Sequence, residues 1–306
     1  MAFKSPETLL LGAFLLGVAG LLLFLLAEGG KRRLETALDP PFAPRPKPIP
    51  LPYLLAPLFL LLAAGRPEAT LPWRENLTQA VVVVDTSHSM AADDENPSRL
   101  EKAKALAQAF LKGLDPSVKV GLVSFGPQAV LVLAPATDRQ ALLEALSGLK
   151  PGGVSPLGQG LEQARRVLRP EGPERDLPEA RPPAAILLLS DGAANAGKDP
   201  LEVAAALARA QVPVFVRPLG DPRGAVSRIG EGLYFVPTDP GTLLRLAQAT
   251  GGGVLAEDFR PLYQALKPHY VWKNRPQELT QALAVAGFLL LGFGAYLALA
   301  REGRWP

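Results

Sequence analysis

Long runs of apolar residues lie near both ends of the sequence, and between them apolar and polar positions alternate at strand and helix spacing. The first run lies within residues 1–30 and the last occupies residues 279–300; each is long enough to cross a hydrocarbon core of roughly 30 Å as a helix. A run in residues 49–66 contains Pro52 and Pro57 and is close to the lower length limit. We predict three transmembrane helices, with a cleaved signal peptide as the alternative for the first and a re-entrant segment for the second.

The predicted loop between the first two helices, residues 31–48, is rich in proline and in basic residues. Its cations are Lys31, Arg32, Arg33, Arg45 and Lys47. Because short loops with clustered Lys and Arg remain in the cytoplasm, we expect residues 76–268 on the periplasmic or external side of an inner membrane. Residues 269–278 are then a linker, and residues 301–306 a cytoplasmic tail.

The middle of the chain, residues 76–268, alternates β-branched runs with helical patterns. Residues 80–85 and 185–190 are apolar enough to be strands buried on both faces. Residues 119–125 and 129–133 are joined by a connection short enough to make them an antiparallel hairpin. The order predicts an α/β, doubly wound, Rossmann-like fold: a mostly parallel sheet with one antiparallel edge strand and helices on both faces.

Helical spacing of apolar residues predicts a helix over residues 99–113, with Ser98 as its cap. Thr137 is expected to cap the helix that follows the hairpin. A second cation site is the alternative for the acidic residues before residue 99, but a solvated loop is the ordinary arrangement. We therefore interpret the charges in this region as solvent-exposed: Asp93, Asp94, Glu95, Arg99, Lys102 and Lys104.

Composition excludes several classes of function. A formal net charge of only +3 gives no basic field for nucleic acid. Cys is absent, so disulfides and thiolate sites are excluded, and a metal would be held by oxygen. With only two His, at positions 88 and 269, a Ser-His hydrolase has little support.

Chemistry-bearing residues follow two of the buried strands. Asp85, Ser87 and Ser89 alternate in a loop directly after the first strand, and Asp191 ends another strand. If these strands are neighbours, both carboxylates face the crevice beyond their carboxyl ends. Carboxylates with hydroxyls suit Mg²⁺, or Mn²⁺, whose open coordination position would attract a partner's Glu or Asp. The alternative is helix capping by Asp and Ser, and His88 is expected at the rim.

Six segments together resemble the von Willebrand factor A (VWA) domain with its metal-ion-dependent adhesion site (MIDAS): VVVVDTSHSM, PSRLEKAK, GLVSF, GGVSPLGQGLEQA, LLLSDG and ATGG. The resemblance covers roughly residues 78–268. It implies that Ser87 and Ser89 bind the metal directly, whereas Asp85 and Asp191 hold it largely through water. The family usually has a Thr in the third loop, where this chain has Ser155.

The membrane plan resembles the bacterial aerotolerance-type Bat proteins, which implies other Bat-like proteins and a MoxR-type AAA+ ATPase as partners. We therefore expect a non-catalytic, membrane-anchored module that binds a protein partner through the metal. One alternative is a magnesium-dependent phosphoryl-transfer enzyme with Asp85 as nucleophile, although such a phosphatase needs a second Asp where this chain has Ser87. Another is a structural membrane scaffold with an incidental metal.

Overall fold

The computed structural model describes residues 2–4, 7, 12–13, 51–170, 181–229, 232–256 and 258–301. The strands in chain order are β1 (Ala2–Phe3), β2 (Pro67–Asn76), β3 (Gln79–Asp85), β4 (Lys119–Phe125), β5 (Ala129–Ala136), β6 (Ala184–Ser190), β7 (Val214–Pro218), β8 (Ala225–Ile229), β9 (Gly232–Val236), β10 (Gly253–Val254) and β11 (Tyr270–Glu278). The helices are α1 (Leu51–Ala64), α2 (Arg99–Gly113), α3 (Arg139–Ser147), α4 (Leu157–Leu168), α5 (Pro200–Arg209), α6 (Pro240–Thr250), α7 (Arg260–Ala265) and α8 (Thr280–Arg301), with a 3-10 helix at His88–Ala91. The chain divides into two units: Arg74–Val271, and Met1–Trp73 together with Trp272–Pro306.

The unit Arg74–Val271 is built on a six-stranded sheet in the order β10-β7-β6-β3-β4-β5. The edge strand β5 runs antiparallel to β4, and the other neighbouring strands are parallel. Parallel strands need a long crossover connection, usually a helix, and helices do occupy these connections. The predicted α/β fold, with its mostly parallel sheet and one antiparallel edge strand, is confirmed.

Both faces of the sheet are covered, as alternate residues of β3 show. Val82 and Val84 belong to an apolar cluster with residues of α2, α3 and α7. Val81 and Val83 belong to a second cluster, with residues of α4, α5 and α6. Each buried Val contributes roughly 1.5–3 kcal/mol, which fixes β3 at the centre of the fold. The residue that follows these valines is Asp85, so the functional loop starts from a rigid support.

Three features differ from the sequence-based expectations. Asp138, not Thr137, caps α3, because its carboxylate accepts the N–H of Ala141 at 3.0 Å. β11 occupies most of the segment expected to be a linker, and its hydrogen-bonded neighbour is β2. β8 and β9 form a separate antiparallel hairpin that the sequence pattern did not reveal.

The unit formed by the two ends of the chain contains α1 and α8. α8 has 22 residues and includes the one stretch among the described residues that is long and apolar enough to cross a membrane, Thr280–Leu297. α1 has 14 residues, about 21 Å of helix at 1.5 Å per residue, so its predicted crossing stays a prediction. The predicted first span and the basic loop 31–48 lie almost wholly outside the described residues, as do residues 302–306.

Candidate metal centre

Two neighbouring strands bring the predicted carboxylates to one edge of the sheet. Asp85 is the last residue of β3, and Asp191 directly follows the last residue of β6. These strands are parallel neighbours, with Val84 opposite Leu189, so they end at the same level. Asp85 is fully buried, and Asp191 is 1% exposed. The carboxyl ends of two adjacent strands therefore supply two buried acids to one place.

Hydroxyl groups from two further positions join Asp85. Ser155 Oγ donates to Asp85 Oδ2 at 3.4 Å, and the backbone N–H of Ser87 donates to Asp85 Oδ1 at 2.9 Å. Ser87 Oγ and Ser89 Oγ are 3.0 Å apart. Ser87 and Ser155 are buried, whereas Ser89 is partly exposed. The loop after β3 and the loop before α4 thus meet at one carboxylate.

The loop after β3 is held in place at both of its ends. Thr86 bonds to the Phe125 carbonyl through its backbone N–H at 2.7 Å and its Oγ1 at 3.0 Å. Met90, in the 3-10 helix, is fully buried in the core. Ser87 precedes this helix but makes no side-chain capping bond to it. Its hydroxyl is therefore not used in the way that the capping alternative requires.

Asp191 lies beside a cation that the sequence reading placed at the surface. Arg99 Nη1 donates to Asp191 Oδ2 at 3.0 Å, and neither side chain is exposed. The other oxygen, Asp191 Oδ1, accepts the backbone N–H of Ala193 at 3.1 Å. The prediction of a surface charge is thus wrong for Arg99. Arg99 is buried because the segment at Gly220, which comes from a distant part of the chain, covers its guanidinium.

The expectation of a solvated acidic loop is wrong for Asp94. Arg99 Nε and Nη2 donate to its two carboxylate oxygens at 2.8 and 2.7 Å, and the Asp94 side chain is only 8% exposed. Burial alone would lower the pKa of Arg99, but the hydrogen bond and charge of Asp94, with those of Asp191, raise it. Burial likewise opposes the effect of Arg99 on Asp94, yet the pKa of Asp94 is lowered. Lys102 and Lys104 pair with Glu95 and Glu101.

Two residues of the centre were not singled out from the sequence. Ser190 Oγ donates to Asp85 Oδ2 at 2.7 Å and accepts the N–H of Gly192 at 3.0 Å. Asn195 Oδ1 accepts the N–H of Ser155 at 2.8 Å, which ties the loop before α4 to the loop after β6. The Ser-Asp-Gly sequence held a signal for Ser190, since it ends a buried strand beside a predicted ligand. Nothing local in the sequence marks Asn195.

The chemistry of the centre fits a hard divalent cation. Burial, and next the charge of Asp191, raise the pKa of the Asp85 carboxyl, against the opposing hydrogen bonds of Ser87 and Ser190. A cation between the carboxylates would offset both effects. In the described part of the chain, no three carboxylate or imidazole side chains gather as a metal cluster, so hydroxyls and water would have to complete the shell. Oxygen donors of low total charge suit Mg²⁺.

The centre reaches solvent on the side of the 3-10 helix. His88 is exposed, in keeping with its predicted place at the rim. Val154, next to Ser155, is 50% exposed. Since Ser89 is also partly exposed, the centre opens to solvent beside Ser89, whereas Asp85, Ser87, Ser155 and Asp191 are buried.

Comparison with known proteins agrees with this architecture. The sequence pattern of the von Willebrand factor type A domain matches residues 80–193. The chain is similar to a UPF0353 protein of Mycolicibacterium paratuberculosis at 32% identity, over 85% of this chain and 80% of that one. It is also similar in structure to the conserved hypothetical protein BatB of Bacteroides thetaiotaomicron, with a TM-score of 0.53 and 24% identity over 61% of this chain and 96% of that one. An aerotolerance-related membrane protein of Bacteroides fragilis gives a TM-score of 0.49 and 25% identity, over 62% of this chain and 96% of that one.

At its level of identity, the BatB structure speaks for the fold alone, and that fold is the predicted one. The UPF0353 relative establishes family membership, because its similarity extends over most of both chains. The predicted resemblance to the VWA domain is confirmed, and the likeness to BatB extends to the fold. The chain belongs to the UPF0353 family, and its larger unit is a von Willebrand factor type A domain.

Proposed function

We propose that this chain is a membrane-anchored module that binds a divalent cation and uses it to hold a protein partner. The ion would be Mg²⁺, or Mn²⁺ in its place, held by Asp85, Ser87, Ser89, Ser155 and Asp191. The observation that carries the proposal is that two buried carboxylates and three hydroxyls from three loops meet at one sheet edge. The bound ion supplies positive charge and an open coordination position for an acidic side chain of the partner.

The surroundings of the proposed ligands support a site in which fixed acids hold the ion and an open side admits the partner. Asp85 is fixed by the hydroxyl of Ser190, and Asp191 by Arg99, so the acids are set before an ion arrives. Fixed ligands of this kind lose little conformational entropy on binding. The partly exposed Ser89 and the half-exposed Val154 border the open side, where a partner's carboxylate would enter.

A phosphoryl-transfer enzyme is less well supported. A nucleophilic carboxylate needs an oxygen that can reach the substrate. Asp85 is 0% exposed, and its two oxygens already accept hydrogen bonds from Ser87 N–H and Ser190 Oγ. Purified chain should therefore leave p-nitrophenyl phosphate unchanged in the presence of Mg²⁺. Hydrolysis by the wild type that is lost in Asp85→Asn would instead favour the enzyme.

Direct measurement of Mn²⁺ binding tests the metal site. The full chain in detergent micelles is titrated with Mn²⁺ and the free ion is followed by electron paramagnetic resonance, beside Asp85→Asn. The matched control is Asp115→Asn, an exposed turn carboxylate at the opposite end of β4. We expect binding by the wild type and the control, and a thermal stabilisation of about 2.7 kcal/mol at a hundredfold excess over Kd. Equal binding by Asp85→Asn would refute the site.

The structural-scaffold alternative predicts a different result. If the metal were incidental, Asp85→Asn and Asp191→Asn would retain the chain's complexes in membranes. On our proposal both variants lose them, as does the wild type in chelator. Purification of the complexes with and without chelator therefore separates the two.

The membrane side and the partner classes are also part of the proposal. The apolar helix α8 supports an inner-membrane location, and the basic loop 31–48 supports a periplasmic or external VWA domain. Other Bat-like membrane proteins and a MoxR-type AAA+ ATPase are the partners that the resemblance suggests. Because the chain has no Cys, Lys112→Cys at an exposed site provides a single label. An impermeant maleimide should modify this Cys in cells with a permeabilised outer membrane. Labelling only after inner-membrane lysis would show that the VWA domain faces the cytoplasm.

A further inference from the structure

One face of the hairpin formed by β8 and β9 is open to solvent. Val226 lies opposite Phe235, and Arg228 lies opposite Leu233. Opposed residues, and residues two apart along a strand, share a face, so these four side chains form one surface, here called the hairpin face. Val226 and Leu233 are 68% exposed and Phe235 is 64% exposed. Exposed apolar clusters of this kind are typical of interaction sites.

The hairpin is attached to the VWA domain through its other face. Ser227 and Val236 point to that side and are 1% and 4% exposed, whereas Tyr234, opposite Ser227, is 58% exposed. The ring of Phe235 is also confined, because it lies against Gly224: a Cβ atom there would come within 2.6 Å of the ring. Gly224 has φ +75°, which glycine adopts without strain. Ser227 and Val236 thus anchor the hairpin to the domain, and Gly224 leaves space for the Phe235 ring.

Hydrogen bonds connect both hairpin strands to the loops of the metal centre. In β8, the N–H of Arg228 donates to Asp93 Oδ1 at 3.0 Å. In β9, the Val236 carbonyl accepts from Arg99 Nη2 at 3.5 Å, and the same guanidinium donates to Asp191. Asp93 is exposed and lies two residues beyond the 3-10 helix that contains Ser89, so the hairpin borders the centre on its solvent side.

The charges of this region favour an acidic partner. The exposed Arg228 guanidinium lies among the apolar side chains of the hairpin face and has no hydrogen-bond or ion-pair partner within the described ranges. Of the nearby carboxylates, Asp94 is paired with Arg99, whereas Asp93 accepts a backbone N–H and keeps its negative charge. A divalent ion in the adjoining centre would add to the positive charge on this surface.

We propose that the hairpin face and the metal centre form one binding surface for a protein segment with an acidic residue flanked by large apolar ones. This inference rests on the proposed function, since the acidic side chain would complete the metal's coordination. The flanking side chains would cover Val226, Leu233 and Phe235. Arg228 would pair with a second acidic residue of the same segment.

A peptide panel tests this surface on the full chain in detergent micelles. Three fluorescein-labelled peptides are compared by anisotropy in Mn²⁺ and in chelator: a central Glu flanked by Leu and Phe, the same peptide with Gln, and the Glu peptide with Ser flanks. The protein variants are Leu233→Ser and Phe235→Ser separately, in case one of them disturbs the hairpin. The matched control is Val130→Ser, a 47% exposed apolar residue on the distant edge strand β5.

We expect the apolar-flanked Glu peptide to bind best, and each hairpin variant to weaken it by about tenfold, or 1.4 kcal/mol. Mn²⁺ binding, followed by electron paramagnetic resonance, should be unchanged in these variants, and Val130→Ser should match the wild type. Equal binding of the Ser-flanked peptide would overturn the proposal, as would hairpin variants that change only self-association in sedimentation. Failure of wild-type Mn²⁺ binding would refute the metal site instead, so the two failures are distinguishable.

Discussion

Arg99 and Asp191 form an ion pair of 3.0 Å in which neither side chain has any contact with solvent. Arg99 also holds Asp94 and the carbonyl of Val236, so one cation connects Asp191 of the candidate metal centre, the loop before α2 and the hairpin. A buried charge is costly unless it is paired and hydrogen-bonded. The arrangement therefore makes the centre dependent on Arg99 whether or not an ion is bound.

Arg99→Met should strongly destabilise the domain. The substitution fills similar space but leaves two carboxylates without their cation, and breaking a buried pair on one side costs about 3–5 kcal/mol. Thermal unfolding of the full chain in detergent should show a midpoint roughly 6–20 °C lower. Lys102→Met, whose side chain is 41% exposed, serves as control and should stay within about 0.5 kcal/mol of wild type. A midpoint for Arg99→Met equal to that of the control would contradict the account.

Gly220→Ala should damage the same pair from the opposite side. Gly220 has φ +85°, and a Cβ atom there would lie 2.6 Å from Arg99 Cζ. Both the backbone conformation and the contact oppose any side chain, so we expect a loss of about 1–3 kcal/mol in unfolding free energy. Gly148→Ala is the control, since its φ is −73° and its nearest contact would be an ordinary 3.6 Å. If both substitutions change stability alike, Gly220 does not support Arg99.

Ser190→Ala should weaken both metal binding and the fold, by comparable free energies. The hydroxyl donates to Asp85 Oδ2, and groups that orient a metal ligand commonly affect affinity by about 10–100-fold. It also accepts the N–H of Gly192, which would lose a buried partner at a cost of about 1–3 kcal/mol. Mn²⁺ titration gives the affinity and thermal unfolding gives the stability.

Ser190→Thr provides a comparison, because it keeps the hydroxyl. If the Ala and Thr variants bind Mn²⁺ with the affinity of the wild type, Asp85 does not depend on Ser190 for its position. Affinity lost in both variants would instead indicate that the buried site cannot accept a change of shape.

The sequence predicted the fold, and it marks the candidate ligands Asp85 and Asp191, because both signals are local. The valines of β3 are buried on both faces, and such a strand is necessarily a continuous apolar run. Asp85 and Asp191 are predictable because they terminate two runs of this kind. Ser98 was likewise predictable as the cap of α2, because its hydroxyl accepts the backbone N–H of Glu101, only three residues later.

The features that escaped prediction depend on distant contacts. Arg99 looks like any basic residue at the start of a helix, and only the folded chain brings Gly220 over it. The hairpin was missed because Leu233, Tyr234 and Phe235 are all exposed, so the usual alternation of buried and exposed residues is absent. The cap of α3 was misplaced by one residue for a local reason. Thr137 and Asp138 can both cap a helix, and the choice depends on the residue at which α3 begins.

Glu162 should make the stability of the domain depend on pH in the acid range. Hydrogen bonds from Arg165, and also from Arg166, lower the pKa of Glu162 from 4.5 to about 2, although burial opposes them. A lowered pKa in the folded state means that the charged form stabilises the fold. Its contribution is fully present above pH 4.5 and is lost as the pH falls toward 2. For a pair at the helix surface, that contribution is about 0.5–1 kcal/mol.

The measurement is the difference in unfolding free energy between wild type and Glu162→Gln from neutral pH down to pH 2. The difference should be largest near neutral pH and should close with acid, because protonated Glu and Gln are then both uncharged. Introducing Glu162→Gln into an Arg165→Met and Arg166→Met background removes the partners and should leave little pH dependence. A difference that stays constant across the range would show that Glu162 acts through packing, and that its charge does not stabilise α4.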